Sequence, residues 1–259
     1  MQYSAMPIRL FRNRILPMDG KLHIILFIAS INVYFTRYDF LEMAPPDTVL
    51  AGYDKIAPLW LLTAYVATVI KTSTPQRDNI AELFYIQLGL LATIFSEIIQ
   101  MVPHILTYIP SNGFLLITHV SYSIAFGAYR GTRVSNILFF LMCLCGFLSI
   151  QVQIKSYTIK AFVMCYSVLL GNSAWRAATR FQDEKTIGTC ISWIGAMLFI
   201  YSDYVFAYNK WAHPIENCRF LVTLTYYAAH FGIALGETLK FRANKINLEF
   251  LIWNRPYFM

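Results

Sequence analysis

The sequence predicts an all-α protein, a polytopic transmembrane helical bundle of eight helices. Hydrophobic residues make up 57% of the 259 residues and charged residues only 14%, whereas about 25% of an ordinary soluble protein is charged. The mean hydropathy is +0.50. The apolar residues are gathered into long segments, and crossing the hydrocarbon core of a bilayer takes about 20 helical residues.

Eight apolar segments follow one another along the chain, and each is a candidate membrane helix. Their approximate ranges are 22–36, 55–70, 80–102, 113–129, 134–153, 157–179, 187–209 and 217–238. The connections are too short to hold a soluble domain, and backbone amides in a bilayer must be satisfied within their own helix. We therefore expect three parts: a basic cytoplasmic segment 1–21, an eight-helix domain 22–238 and a basic, aromatic cytoplasmic tail 239–259.

The first four segments contain few charges. A basic stretch precedes the first and imitates a secretory signal, but no small-residue cleavage site follows, so we expect a retained helix. The acidic, proline-containing stretch 37–54 is expected to be an external loop. The second helix should then open at Lys55 and Pro58, where a first-turn proline costs little. Glu97 lies inside the third segment and His119 inside the fourth.

The last four segments contain the remaining candidate residues. Arg176 and Arg180 lie four residues apart at the end of the sixth segment and are expected to be topological anchors. The seventh segment contains Asp203, and a carboxylate is expensive to insert into a bilayer unless it has a function. Further candidates on the seventh and eighth segments are Asn209, Lys210, Tyr226 and Tyr227.

The basic residues predict the orientation of the helices. With eight helices, 15 of the 21 Lys and Arg residues fall on the side that holds both termini. By the positive-inside rule both termini are cytoplasmic. We expect an integral, multi-pass membrane protein, of the endoplasmic reticulum or another endomembrane if it is eukaryotic. This topology explains the basic sequence pI without a nucleic-acid partner.

Helix numbering places three titratable residues at one depth. Odd helices leave the cytoplasmic side and even helices return, so Glu97 and Asp203 both lie about 8–9 Å inside the non-cytoplasmic edge. His119 enters from that edge on the fourth helix. We predict one polar layer that contains these three residues as catalytic candidates. The candidate substrate-binding residues around it are Lys55, Asn209, Lys210, Tyr226 and Tyr227.

Each of these residues also has a structural interpretation. The carboxylates could pair with Lys210 or hydrogen-bond between helices, but two of them at one depth favour a functional cavity. For His119 the sequence is consistent with two roles, catalysis or a hydrogen bond between helices. For Lys55 and Lys210 it is consistent with snorkelling to the membrane surface or with binding a lipid phosphate. Five scattered histidines do not favour a zinc site, so we expect no metal or cofactor.

Several short motifs between Lys55 and Glu237 are similar to those of one protein family. They are Lys55 with Pro58, T-H-x-x-Y-x-x-A-F-G at 118–127, W-R-A at 175–177, G-A-x-L-F-x-x-S-D at 195–203 with N-K at 209–210, and T-Y-Y at 225–227. With these motifs the chain resembles the YhhN-like lysoplasmalogenases, eight-helix membrane hydrolases of the vinyl ether bond in lysoplasmalogens. Where that family usually has Gly-Asp in the third helix, this chain has Ser96 and Glu97, which moves the carboxyl one methylene outward.

The resemblance implies hydrolysis of a 1-alkenyl ether to a fatty aldehyde and a glycerophospho-base, with a lysophospholipid substrate that reaches the site within the membrane. Protonation of the outer alkene carbon of a vinyl ether gives an oxocarbenium ion, which water captures. By analogy with glycosidases, one carboxyl supplies the proton and the other stabilises the cation. Asp203, near Asn209 and Lys210, is the better placed to stay ionised. The alternative is a non-catalytic lipid-binding protein, or a transporter that uses the carboxylates as an ion site.

Overall fold

The computed structural model describes residues 18–38, 49–72, 77–102, 108–129 and 133–253. Within these ranges the chain forms eight α-helices and no strand, which confirms the predicted all-α bundle. The helices are α1 Met18–Arg37, α2 Val49–Lys71, α3 Arg77–Gln100, α4 Tyr108–Phe126, α5 Arg133–Gln151, α6 Tyr157–Glu184, α7 Ile187–Trp211 and α8 Cys218–Trp253. Each helix overlaps one predicted segment. Residues 1–17 of the predicted N-terminal segment and 254–259 of the predicted tail lie outside the described residues.

Several helix ends differ from the predicted ones, and three of the differences change how a predicted element is described. Helix α2 begins at Val49, inside the predicted loop, so Pro58 lies in the helix interior and the prediction of a first-turn proline was wrong. A proline at this position cannot donate an N–H to the carbonyl of Asp54. Helix α4 begins at Tyr108, before the predicted segment, and α8 runs on to Trp253, past the expected boundary with the tail. The differences arise because hydropathy marks the apolar part of a helix rather than its hydrogen-bonded ends.

Capping residues determine the sharp connection between α6 and α7. The Thr186 hydroxyl accepts a hydrogen bond from the Thr189 amide at 3.1 Å, and the Thr189 hydroxyl accepts one from the Thr186 amide at 3.2 Å. This capping box satisfies two N–H groups at the start of α7. Lys185 ends α6 in the left-handed conformation, with φ of 48°. The short connection makes α6 and α7 antiparallel neighbours.

Glycines allow α7 and α8 to lie close together. A Cβ atom at Gly195 would lie 2.7 Å from the backbone nitrogen of Ile233 and 2.8 Å from the carbonyl oxygen of Ala229. A Cβ atom at Gly188 would lie 2.7 Å from the carbonyl oxygen of Gly236. Membrane helices commonly use small residues for such close approach. The contact fixes α7 against α8, and with them the polar residues that both helices carry.

Polar side chains are buried in this bundle while large apolar side chains are exposed. Glu97 and His119 are among the buried residues, whereas Trp60, Phe84 and Phe140 are each at least half exposed. A water-soluble protein rarely buries charged groups, whereas a bundle in lipid turns them toward its interior. Among the described helices, the spans Ile80–Gln100 and Ile187–Trp211 are long and apolar enough to cross a membrane. The distribution is typical of a membrane protein.

Candidate functional site

The bundle contains a cavity of about 1420 Å³ to which all eight helices contribute. Its wall includes both predicted carboxyl groups, Glu97 of α3 and Asp203 of α7. Tyr166 of α6 and Tyr226 of α8 lie on the same wall, together with Lys55 of α2. Much of the remaining wall is apolar. The cavity therefore combines an apolar interior with these two carboxyl groups on separate helices, and Glu216 of the loop between α7 and α8 also lines it.

Glu97 lies one turn before the end of α3 and forms an ion pair with Lys55. The distance from Lys55 Nζ to Glu97 Oε2 is 2.6 Å, and the Glu97 side chain is only 9% exposed. Tyr226 donates its hydroxyl to Glu97 Oε1 at 3.0 Å. The neighbouring Ser96 is fully buried and accepts a hydrogen bond from Gln100 at 3.3 Å. A salt bridge and a phenol thus hold the Glu97 carboxylate at the cavity wall.

Asp203 has a different set of partners. The hydroxyl of Tyr166 donates a hydrogen bond to Asp203 Oδ2. His119 Nε2 lies 3.9 Å from the same oxygen. The Asp203 side chain is 19% exposed. Glu97 is therefore paired with an ammonium group, whereas the closest partner of Asp203 among the described residues is a phenol.

His119 lies behind Tyr166 and is completely buried. Its Nε2 is 3.0 Å from the Tyr166 hydroxyl. Because Tyr166 has a single O–H and donates it to Asp203, His119 Nε2 must be the donor in this contact. The other ring nitrogen, Nδ1, is 3.5 Å from Ser173 Oγ. His119, predicted as a catalytic candidate, is thus linked to Asp203 through Tyr166 and is not among the residues that line the cavity.

Asn209 and Lys210 line the cavity beyond Asp203. The Asn209 side-chain oxygen accepts a hydrogen bond from the Ile215 amide at 2.8 Å, which closes the loop between α7 and α8. The Lys210 ammonium lies 5.6 Å from the ring centre of Phe206 and 5.3 Å from that of Trp211. Asn209 thus has a structural contact, and Lys210 lies beside aromatic rings at the cavity wall.

Tyr226 and Tyr227, which are adjacent on α8, face different groups. Tyr226 contacts Glu97, as described above. Tyr227 donates its hydroxyl to the backbone carbonyl of Lys55 at 2.6 Å and is almost completely buried. Tyr227 does not belong to the cavity wall, in contrast to the predicted role in substrate binding. Its contact positions α2, which carries the lysine of the ion pair.

Two residues of the cavity wall, Tyr166 and Arg219, were missed in the sequence. Tyr166 lies in an apolar run, where an aromatic residue resembles one of the membrane interface belt. The sequence nevertheless contains a pattern that could have indicated a polar face on α6. Polar side chains recur there every seven residues, at Tyr166, Ser173 and Arg180, and residues with this spacing share one helix face. Arg219, at the start of α8, donates to the Tyr34 hydroxyl at 3.2 Å.

A second group of charges includes Arg180, which was predicted to be a topological anchor and is instead buried in an ion network. Arg180 is 1% exposed and contacts Glu237 at 2.9 Å, Glu82 at 2.7 Å and Glu184 at 3.4 Å. Lys240 lies 3.1 Å from both Glu82 and Glu184. Measured along α3, this network is about 20 Å from the cavity carboxyl. Arg180 therefore joins α3, α6 and α8 at the opposite end of the bundle.

Arg176, the other predicted anchor, also has a structural contact. Its guanidinium donates to the carbonyl oxygens of Ser123 and Gly127 at 3.1 and 3.2 Å. These carbonyls lie at the C-terminal end of α4, where the last turn has no intrahelical donors. Arg176 thus caps α4.

In the part of the chain that the structure describes, no three His, Cys, Asp or Glu side chains form a group that could hold a metal ion. Carboxyl, phenol and basic side chains are among the polar groups that line the described cavity.

The chain is similar to proteins of known family. The model of the YhhN family matches residues 50–237. The chain is 32% identical over 127 residues to lysoplasmalogenase TMEM86A of Bos taurus, covering 46% of this chain and 51% of that protein. It is 31% identical over 127 residues to lysoplasmalogenase TMEM86A of Homo sapiens, with the same coverage. It is 27% identical over 129 residues to lysoplasmalogenase TMEM86B of Homo sapiens, and this match covers 50% of this chain and 53% of that protein. The chain thus spans about half the length of these curated relatives. No solved structure matches it.

Proposed function

The chain belongs to the YhhN family, and on that premise we propose that it is a membrane hydrolase that cleaves the vinyl ether bond of lysoplasmalogens. The names of its relatives support the substrate class. The main observation in support of the proposal is that Glu97 and Asp203, from two helices, both line one largely apolar cavity. A lipid chain needs apolar walls, and a vinyl ether needs an acid.

The two carboxyl groups have separate tasks in this proposal. Glu97 is paired with Lys55 and supplies the negative charge that stabilises a cationic intermediate. Asp203 contacts Tyr166, which in turn contacts His119, so it belongs to a chain of groups that can carry a proton. We therefore assign proton delivery to Asp203 and charge stabilisation to Glu97. This assignment reverses the expectation that Asn209 and Lys210 keep Asp203 ionised.

The reaction begins with transfer of the Asp203 carboxyl proton to the outer alkene carbon. The carbon bonded to the ether oxygen becomes an oxocarbenium ion, whose positive charge the Glu97 carboxylate stabilises. Water adds to that carbon and gives a proton back to Asp203. In the resulting hemiacetal the hydroxyl proton leaves, the glycerol oxygen takes up a proton, and the bond between carbon and glycerol oxygen breaks. The products are a fatty aldehyde and a glycerophospho-base.

Tyr166 and His119 act as positioning residues for Asp203. When Asp203 is ionised, the Tyr166 hydroxyl donates to it and His119 donates to Tyr166. When Asp203 is protonated, the carboxyl donates to the Tyr166 oxygen and Tyr166 donates to His119 Nε2, and the ring then carries its proton on Nδ1, 3.5 Å from Ser173 Oγ. The two states of the carboxyl thus require different tautomers of His119 but no movement of a heavy atom. This preorganisation keeps the Asp203 carboxyl in one orientation toward the substrate throughout the catalytic cycle.

The apolar part of the cavity suits the alkenyl chain. Met142 and Phe147 of α5 and Phe162 and Leu170 of α6 belong to its wall. A chain that packs against them enters from the lipid phase, without passing through water. We propose an integral, multi-pass protein whose cavity opens toward the non-cytoplasmic half of the membrane, and the distribution of Lys and Arg residues supports this orientation with both termini in the cytoplasm.

The test is hydrolysis of a 1-alkenyl lysophosphatidylethanolamine by the purified full chain in lipid nanodiscs. We expect release of fatty aldehyde by the wild type and none above background by Asp203→Asn. In D₂O, the aldehyde should carry one deuterium on the carbon next to its carbonyl, because an exchangeable proton is delivered to the alkene. Immediate reduction of the aldehyde to the alcohol prevents later exchange at that carbon.

Two outcomes would contradict the proposal. Binding of the lysoplasmalogen without aldehyde release would identify the alternative, a non-catalytic lipid-binding protein. Aldehyde release without deuterium at that carbon would exclude protonation of the alkene as the first step.

A further inference from the structure

We propose that Arg219 and Lys210 form a subsite for the phosphate of the lipid head group, and this inference rests on the proposed function. Both side chains line the cavity that contains Glu97 and Asp203. They lie on either side of the loop between α7 and α8. The ligand class is a phosphate ester of glycerol that carries one chain at its ether oxygen.

The positions of the two cations along their helices match the shape of such a ligand. Lys210 follows Asp203 by seven residues on α7, and Arg219 precedes Tyr226, the partner of Glu97, by seven residues on α8. Seven residues are about two turns, so each cation lies on the same helix face as its reference residue and about 10 Å farther out. The long, flexible Lys and Arg side chains can extend toward the cavity, which shortens the distance between each cationic group and its reference residue. A glycerol backbone can thus extend from a vinyl ether beside the carboxyls to a phosphate beside the cations.

The charges of the cavity favour these two residues over Lys55. Among the described residues that line the cavity, the basic side chains are Lys55, Lys210 and Arg219, and the acidic ones are Glu97, Asp203 and Glu216. Lys55 lies 2.6 Å from Glu97 and neutralises a carboxylate that the proposed reaction needs. Drawing Lys55 to a phosphate would leave Glu97 buried without its counter-ion, which is costly. The phosphate contact that the sequence suggested for either lysine is therefore assigned to Lys210, with Arg219 as the second cation.

Arg219 is held in a position from which it can contact a phosphate. Its guanidinium donates to the Tyr34 hydroxyl at 3.2 Å and lies 5.8 Å from the centre of the Tyr34 ring. The Tyr34 ring packs edge-on against Tyr227, at 6.4 Å between ring centres. Tyr227 in turn binds the backbone of Lys55. This series of contacts fixes the guanidinium at the cavity wall, and guanidinium groups bind phosphate through paired N–H donors.

The loop between the two helices keeps the cations at a fixed separation. The Asn209 side chain closes this loop by accepting the Ile215 amide. Asn217 adopts a left-handed conformation, with φ of 55°, just before α8. The Leu221 amide donates to the Asn217 carbonyl at 3.0 Å, which anchors the first turn of α8. Asn209, predicted as a substrate-binding residue, thereby supports the subsite through the backbone.

The experiment compares two substrates that differ in the phosphate alone. One is 1-alkenyl lysophosphatidylethanolamine, and the other is the corresponding 1-alkenylglycerol, which has the ether and the chain but no phosphate. We expect Arg219→Gln to raise KM for the phospholipid about tenfold and to leave KM for the alkenylglycerol unchanged. Lys210→Gln should act in the same direction, and Arg219→Lys should recover part of the loss. Lys155→Gln, which removes an exposed charge outside the cavity, is the matched control.

A binding measurement keeps the test independent of turnover. The saturated 1-alkyl lysophosphatidylethanolamine, which lacks the vinyl double bond, should bind the wild type more tightly than Arg219→Gln. Inorganic phosphate at the same concentration should not compete with it, whereas glycerophosphoethanolamine at higher concentration should. Competition by inorganic phosphate alone would identify a site for the free anion and overturn the lipid assignment.

The possible failures are distinguishable. If the wild type releases no aldehyde from either substrate, the proposed function fails while the alkyl-lipid binding still tests the subsite. If the wild type is active and Arg219→Gln changes KM for both substrates equally, or for neither, the subsite is wrong and the hydrolase proposal stands. Thermal melting of each variant shows whether a change reflects loss of the fold.

Discussion

Tyr166 of α6 donates a hydrogen bond to Asp203 of α7, and the same hydroxyl oxygen lies 3.0 Å from a ring nitrogen of His119. The phenol thus stands between a carboxyl at the cavity wall and a histidine that is buried behind it. The pair ties the sixth and seventh helices together at the wall of the cavity that also contains Glu97. In the proposed reaction, the orientation of the acid depends on this contact.

We expect Tyr166→Phe to lower kcat for aldehyde release by about 10²-fold or more, within the range of general acid–base contributions, with little change in KM. The ring remains and the cavity keeps its shape, but Asp203 loses its donor and its connection to His119. The measurement is steady-state aldehyde release by wild type and variant in nanodiscs.

The matched control for that substitution is Tyr204→Phe. Tyr204 also lines the cavity, and its hydroxyl is 3.3 Å from Ser149 rather than near a carboxyl. It should retain near-normal kcat. Equal losses for the two variants would mean that Tyr166 acts through general packing and would remove it from the proton pathway.

The ion pair between Glu97 and Lys55 leads to a second prediction. Glu97→Gln should lower kcat by about 10²–10³-fold, as for loss of a preorganised charge at a transition state. Glu97→Asp should retain most of the activity, since it keeps the carboxylate near Lys55 and restores the side chain that the family usually has. The measurement is the kcat of both variants, compared after thermal melting has shown that each is folded. A fully active Gln variant would show that Glu97 acts only as a hydrogen-bonding group.

The sequence was informative about the helices and the carboxyl groups because both depend on polarity along the chain. Hydropathy located all eight helices in the described ranges. Counting residues from the membrane edge predicted one level for Glu97 and Asp203, and both line one cavity in the structure. The partners of these carboxyls depend on the rotation of each helix about its axis. That rotation is set by packing, such as the glycine contact between α7 and α8, which a single sequence does not specify. Tyr166 was therefore missed, although its residue type was known.

The buried role of Arg180 was missed for a related reason. Near the end of an apolar segment, an arginine at a lipid surface and an arginine in a buried ion network have the same sequence context. The glutamates that bind it come from other helices, at positions 82 and 237. The pairing across helices is visible only once the helices are packed.

The close approach of α7 and α8 gives a third prediction, which concerns stability. Gly195→Ala should lower the free energy of unfolding by about 1–3 kcal/mol, as for overpacking of a tight interface, because the new Cβ would lie 2.7 Å from the backbone of α8. Gly113→Ala is the control, since a Cβ at Gly113 meets no atom within 4 Å. Alanine is the better helix former, so this variant should be unchanged or slightly more stable. Equal melting temperatures for both variants would contradict the predicted packing.

The orientation of the cavity in the membrane gives the last prediction. The distribution of Lys and Arg residues predicts that both termini are cytoplasmic, and the helix order then places the α5–α6 and α7–α8 connections on the other side. Exposed residues suited to labelling are Lys155 and His213 in those two connections, and Lys71 and Gln182 at the opposite ends of the helices. Single cysteines at these positions, in a background without the five native cysteines, are treated with an impermeant thiol reagent on sealed vesicles. Cysteines at 155 and 213 should react only from the lumenal or external side, and those at 71 and 182 only from the cytoplasm. The reverse pattern would open the cavity toward the cytoplasmic leaflet, and labelling of 155 and 213 from different sides would show that α6 and α7 do not both cross the membrane.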